Sequence, residues 1–197
     1  MKPIKFLSII FFTTAFIFAC KPKNQAANKL SESSKEFFEI KNGSEFIFGL
    51  TSDTGYSLKY TSSNFINNQA NPDIENNEIM TYDLTLNNFP TFTVRTEAGG
   101  TQYKDRIAIL TKFKDTLTVG PVLFNLNGNF EPQPGTFDSV FQYPTYTIGT
   151  RTYNNVLRVK MSNHAKYKQM VFAKKLGIIS YTNKQDLTYF VKNYSLK

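Results

Sequence analysis

Met80-Thr81-Tyr82-Asp83-Leu84-Thr85-Leu86 places large apolar side chains at 80, 82, 84 and 86 and polar ones at 81, 83 and 85. A period of two is that of a β-strand with one face in a core and the other in water. The pattern recurs on both sides of this stretch. Phe46, Phe48 and Leu50 alternate with Glu45, Ile47 and Gly49; Tyr56, Leu58 and Tyr60 alternate with Ser57 and Lys59; Phe92 and Val94 sit among Thr91, Thr93 and Arg95. Nineteen Phe, eleven Tyr and abundant Thr agree, because aromatic and β-branched side chains pack well on a pleated, half-buried surface.

Turn signals punctuate these runs about every ten residues: Asn42-Gly43, Asp53-Thr54-Gly55, Asn87-Asn88, Ala98-Gly99-Gly100, Asn127-Gly128-Asn129 and Asn183-Lys184-Gln185-Asp186. Phe92–Val94, the Ala98-Gly99-Gly100 turn and Tyr103–Leu110 read as one antiparallel hairpin. The Asn-rich stretch from Asn64 to Asn77 reads as a long loop, and Glu131-Pro132-Gln133-Pro134-Gly135 as irregular chain. Residues 165–176 carry both periods: Tyr167, Met170 and Val171 fit a helix capped by Asn163 and Gly177, while Tyr167, Gln169, Val171 and Ala173 fit one strand face. The expectation is an all-β domain over residues 36–197, an antiparallel sandwich or a curved half-open barrel with at most one short helix.

The segment before that domain is of another kind. Lys2 and Lys5 precede an apolar run from Phe6 to Ala19, which is too short to span a bilayer comfortably and ends at Cys20, the one cysteine of the chain. Ile17-Phe18-Ala19-Cys20 resembles the lipobox of bacterial lipoprotein precursors, departing from it at Phe18, where smaller residues are usual. The resemblance implies a signal peptide over residues 1–19, cleavage before Cys20 and acylation of its sulfur with diacylglycerol and palmitate-type chains. A lone cysteine has no intramolecular disulfide partner, and acylation gives the thiol a use in an oxidising compartment. The polar residues 20–35 read as the lipidated cysteine and a flexible tether. Lys21-Pro22-Lys23-Asn24-Gln25 lacks an acidic cluster after the cysteine, so the resemblance implies a lipid anchor in the outer membrane, on the periplasmic face rather than the cell surface.

A second resemblance covers about 50 residues. Tyr146-Thr147-Ile148-Gly149-Thr150-Arg151-Thr152-Tyr153-Asn154-Asn155-Val156-Leu157-Arg158-Val159 and Val171-Phe172-Ala173-Lys174-Lys175-Leu176-Gly177-Ile178-Ile179-Ser180-Tyr181 resemble the C-terminal half of small, uncharacterised Gram-negative envelope lipoproteins, with Lys175 where a small residue is usual. This implies a C-terminal meander with strands near 155–162, 167–174, 176–181 and 187–194, and no catalytic residue. At the level of fold alone, a strand-rich domain behind an acyl anchor is similar to the lipoprotein-localisation fold, whose concave sheet holds acyl chains.

The mature chain carries little reactive chemistry. Removing residues 1–19 of 197 leaves 178 and takes away two lysines, so the net charge falls from +8 to +6. Nineteen lysines against four arginines, spread along the chain, read as solvated surface rather than as a nucleic-acid interface. His164, the one histidine, sits in a Ser-Asn-His-Ala turn and reads as a surface residue rather than a catalytic base. One histidine and one cysteine exclude the common zinc sites, and no cofactor motif is present. Asp73, Glu75 and Glu78 are three carboxylates within six residues, and the alternating pair at 73 and 75 could share one side of an extended loop around calcium, though the glycine and spacing of a known calcium loop are missing. Tyr143, Tyr146 and Tyr153 around Pro144 are candidates for a carbohydrate-stacking surface, against plain strand packing. Phenylalanines enough for a lipid-lined cavity would look the same as an enlarged aromatic core. The sequence therefore points to a non-catalytic envelope module for an apolar ligand or envelope partner. A glycan-binding or adhesive domain is the alternative, and a hydrolase the least favoured.

Overall fold

The computed structural model describes residues 28–50, 57–71, 74–86, 89–99, 104–113, 116–136 and 138–197. The leader and Cys20 lie outside them. Among the described residues one short helix, α1 (Glu32–Phe38), precedes twelve strands: β1 (Glu45–Leu50), β2 (Ser57–Asn71), β3 (Ile74–Leu86), β4 (Phe89–Glu97), β5 (Asp105–Phe113), β6 (Thr116–Leu126), β7 (Asn129–Pro132), β8 (Ser139–Ile148), β9 (Arg151–Lys160), β10 (Tyr167–Ala173), β11 (Gly177–Asn183) and β12 (Thr188–Ser195).

All pairings between these strands are antiparallel and the sheet order is β7-β6-β5-β4-β3-β2-β1-β12-β11-β10-β9-β8. Each strand pairs with its sequence neighbours except at β7 and β8, the two sheet edges, and β1 meets β12 to join the two ends of the meander, from Glu45↔Ser195 to Leu50↔Tyr189. The sheet thus curls into a nearly closed barrel with a seam between β7 and β8. The expected all-β fold is present, in its half-open barrel form. Gln142 of β8 faces Gly128 and Phe130 across the seam, and turning its side-chain amide over would let the nitrogen donate to the Gly128 carbonyl (2.8 Å) and the oxygen accept from the Phe130 N–H (3.1 Å).

The period of two has its predicted consequence. Phe46, Phe48, Tyr60, Met80, Tyr82, Leu84, Phe92, Val94, Ile107, Ile109, Phe172 and Val191 are buried in one continuous core inside the barrel. Side chains fill that interior, so it is a packed core rather than a lumen.

α1 lies across one end of the barrel. Ser31 caps it, accepting from the Ser34 N–H, and Glu32 stands in its first turn where the helix dipole favours an acid. Seven residues make a marginal helix alone; its stability comes from Phe37 against Phe130 (5.2 Å) and Phe38 against Phe172 (5.3 Å). The Lys174 ammonium pairs with Glu36 at 2.7 Å, and the Lys175 N–H donates to the Glu36 carbonyl at 2.5 Å. The packed unit therefore begins before residue 36: Leu30 is buried and Asn28 bridges to Asn77.

Three expectations change. Asn64–Asn77 is mostly hairpin rather than loop, with β2 and β3 in register from Tyr60↔Leu86 to Gln69↔Asn77. Asparagine's competition with the backbone is a weak local bias, and a continuous ladder outweighs it. Glu131 and Pro132 end β7 opposite Phe124 and Leu123, where an edge strand tolerates a proline. Residues 167–173 form a strand, settling the ambiguous segment; β9 and β11 flank it and bury Met170, Val171 and Phe172.

Candidate functional site

Inward positions of β1, β2, β4 and β10–β12 collect aromatic rings in the half of the barrel away from α1. Tyr181 lies at the centre: its ring is 4.8 Å from Tyr189 in a stacked pair, 5.0 Å from Phe92, 5.6 Å from Phe48 and 5.6 Å from Tyr167. Its hydroxyl is 3.2 Å from that of Tyr60. Burial pushes the Tyr181 and Tyr167 phenols well above the ordinary range, and neighbouring tyrosines add to the effect. These hydroxyls are neutral structural groups.

His164 closes the cluster, 5.4 Å from the Tyr167 ring. It occupies the expected turn but is buried, not at the surface. Its Nδ1 accepts from the N–H groups of Lys166 (3.2 Å) and Tyr167 (3.1 Å), which leaves the proton on Nε2 to donate to Thr111 Oγ1 at 3.1 Å. Both ring nitrogens are thus engaged in tying the β9–β10 loop to β5. Burial holds the imidazole below its ordinary pKa, and Lys184 and Lys166 push the same way. Gly120 makes the approach possible, since a Cβ there would come 2.6 Å from the Ile109 carbonyl oxygen and 3.2 Å from His164 Cδ2.

The outer face near the seam differs in chemistry. Phe141 on β8 is 38% exposed, and its ring lies 6.5 Å from Tyr143 at only 24°. Residues two apart on a strand share a face, which sets these rings side by side. Arg158 Cζ (5.9 Å) and Lys160 Nζ (5.4 Å) stand over Phe141. Arg158 Nε donates to Gln169 Oε1 at 2.7 Å. Beside them is a notch of about 340 Å³, walled by Lys160, Met161, Ser162, Gln169 and Thr182 with the Lys168–Asp186 ion pair (2.6 Å) at its edge. The surface offers an exposed aromatic ring with two cations 5.4 and 5.9 Å from its centre and, on the next two strands, the hydrogen-bonding groups of Gln169 and Thr182.

The sequence-predicted residues are divided by this geometry. Tyr143 and Tyr146 are neighbours (5.2 Å) but tilted by 43°, half-buried against the core, and Tyr146 pairs with Tyr153 across the hairpin. Tyr153 is buried, with its phenol pushed up by that burial. The three make strand packing rather than one coplanar platform. Asp73 lies outside the described residues, as does the side chain of Glu75, while Glu78 Oε2 accepts from the Leu30 N–H (2.8 Å) and faces Lys35 Nζ (3.6 Å). Phe141, Arg158, Lys160 and Gln169 were missed. The signal for Phe141 was its spacing of two from Tyr143; the cations come beside it only through the β8–β9 register, Phe141↔Arg158 and Ser139↔Lys160. Compared with protein-family models, curated proteins and solved structures, the chain finds no match.

Proposed function

We propose that this chain is a lipoprotein of the outer membrane, anchored through acylated Cys20 and facing the periplasm, whose barrel is a non-catalytic module that binds an acidic envelope glycan by its outer face. One observation carries the choice of surface: Phe141 stands exposed between Arg158 and Lys160 beside a notch that Gln169 and Thr182 help to wall. A sugar presents an apolar ring face to an aromatic side chain and hydroxyls to groups such as Gln169 and Thr182, and a carboxylate or phosphate on it suits fixed cations. The packed aromatic interior weighs against the lipid-holding alternative, since an acyl chain would have to displace Phe48, Phe92 or Tyr181. A hydrolase with an imidazole base is disfavoured because both nitrogens of the one histidine are spent on structural hydrogen bonds.

The test is retention of the full chain on immobilised acidic polysaccharide against a neutral one. Phe141→Ala and Lys160→Ala should each weaken the acidic interaction by about tenfold, the equivalent of some 1.4 kcal/mol. Equal retention on both matrices, or variants that bind as the parent does, overturns the glycan reading. A lipid co-purifying within the barrel in native mass spectrometry would restore the apolar-ligand alternative. Cys20→Ser should release the protein from membranes, and persistence there with unchanged mass overturns the anchor.

A further inference from the structure

We propose that the α1 end of the barrel rests on the lipid bilayer, with the aromatic His164 end directed away from it; this rests on Cys20 as the anchor. Five of the large hydrophobic side chains exposed on the described surface gather at that end: Phe65 (62%), Ile66 (42%), Leu126 (43%), Tyr194 (40%) and Leu196 (45%). Each is placed there by a neighbour. Leu126 follows Asn125, whose amide donates to Ser33 and Ser34 around the start of α1. Tyr194 pairs with Phe46 at the start of β1, and the Lys197 N–H donates to Ser44 Oγ. Phe65 and Ile66 follow Asn64 on β2, whose N–H donates to Asn42 Oδ1, and precede Gln69, which pairs with the Asn77 that holds Asn28. Leu187, the exposed leucine of the β11–β12 turn, marks the opposite end.

The chain enters at the same place. Cys20 is eight residues before Asn28, a reach of at most about 28 Å when fully extended. The nine residues of β5 already span roughly 30 Å along the barrel wall. A tether that short, starting at the α1 end, would have to lie almost fully extended along the wall to bring the far end to the membrane. Exposed Lys29, Lys41, Arg151, Lys175 and Lys197 surround the apolar side chains, against the exposed carboxylates of Glu32 and Glu39. Apolar tips among cations suit the boundary between acyl chains and anionic headgroups.

The absence of tryptophan makes the test direct. Leu126→Trp, Leu196→Trp and Leu187→Trp each give the full chain a single indole reporter while Cys20 stays native. In vesicles of phosphatidylethanolamine and phosphatidylglycerol carrying nitroxide-labelled lipid, the first two should be quenched at least about twofold more than the third, as apolar contacts at headgroup depth require. Equal quenching at all three positions, or stronger quenching at 187, overturns the orientation. A chain that does not float with the vesicles refutes the anchor instead. Coupling the Cys20 thiol to a maleimide lipid and repeating the measurement then decides the orientation by itself.

Discussion

Asp105 Oδ2 accepts a 2.6 Å hydrogen bond from Ser31 Oγ and a 3.0 Å one from the Ser31 N–H, tying the cap of α1 to the first residue of β5 across 74 positions of sequence. Its other oxygen accepts from the Gly99 N–H at 3.3 Å. One buried carboxylate thereby fixes both the end plug and the β4–β5 turn. Asp105→Ala takes away the acceptor shared by the Ser31 N–H, the Ser31 hydroxyl and the Gly99 N–H, leaving the serine O–H only Ser33 and Ser34 to donate to, and should lower unfolding free energy by roughly 1–3 kcal/mol. The urea midpoint measures this, and a shift below about 0.5 kcal/mol would remove the carboxylate's assigned role.

Gly177 opens β11 with φ +71, and a Cβ there would lie 2.9 Å from Tyr82 Oη and 3.0 Å from Ile40 Cγ1. Two costs coincide: left-handed backbone for an L side chain and overpacking against a fully buried ring. Gly177→Ala should therefore destabilise by roughly 2–4 kcal/mol. By contrast, a Cβ on Gly135 (φ +81) meets nothing within 4 Å, so Gly135→Ala carries only the backbone part of that cost, about 1–2 kcal/mol. Equal thermal shifts for the two variants would contradict the packing argument.

Strand content was legible because half-burial writes itself into the sequence at period two, as in Met80-Thr81-Tyr82-Asp83-Leu84. Barrel against sandwich was not, because closure depends on β1 meeting β12, and Phe46↔Tyr194 leaves no trace in either strand's own periodicity. Local composition misled at Asn64–Asn77, where turn-favouring side chains sit in a ladder that their partners supply. The outer surface was half legible: Phe141 and Tyr143 share a face by spacing alone, whereas Arg158 and Lys160 reach Phe141 only through register. His164 looked exposed because a polar turn usually is; its burial follows from Gly120 and Thr111, which lie more than forty residues earlier in the chain.

The His164 geometry sets an acid-side limit on stability. Unfolded, the imidazole titrates near 6.5; folded, burial and the lysines at 166 and 184 lower its pKa, with Asp138 opposing them. The unfolded chain thus binds the extra proton first, so this contribution is present above pH 6.5 and is lost as pH falls below it towards the folded value. Melting temperature should fall between pH 7 and pH 5, and His164→Gln should flatten that fall while lowering the melting temperature at neutral pH. Parallel profiles for parent and variant would show that other groups carry the acid sensitivity.

The tyrosine cluster sets the alkaline limit, with the opposite sign. Burial raises the Tyr82, Tyr167 and Tyr181 phenols above their unfolded value of 10.0. The stability held in keeping them neutral is complete below pH 10 and is lost as pH rises, because the unfolded chain then releases protons the barrel retains. Tyrosinate absorbance of the buried phenols should appear in a steep step above pH 10 that coincides with loss of the β signal in circular dichroism. Tyr181→Phe removes one of the retained protons and the 3.2 Å contact with Tyr60. It should make that step shallower in pH while lowering stability at neutral pH by about 1 kcal/mol. If all eleven tyrosines titrate in one transition near pH 10 with the circular dichroism unchanged, the rings are open to water and the packed interior that excludes a bound lipid does not exist.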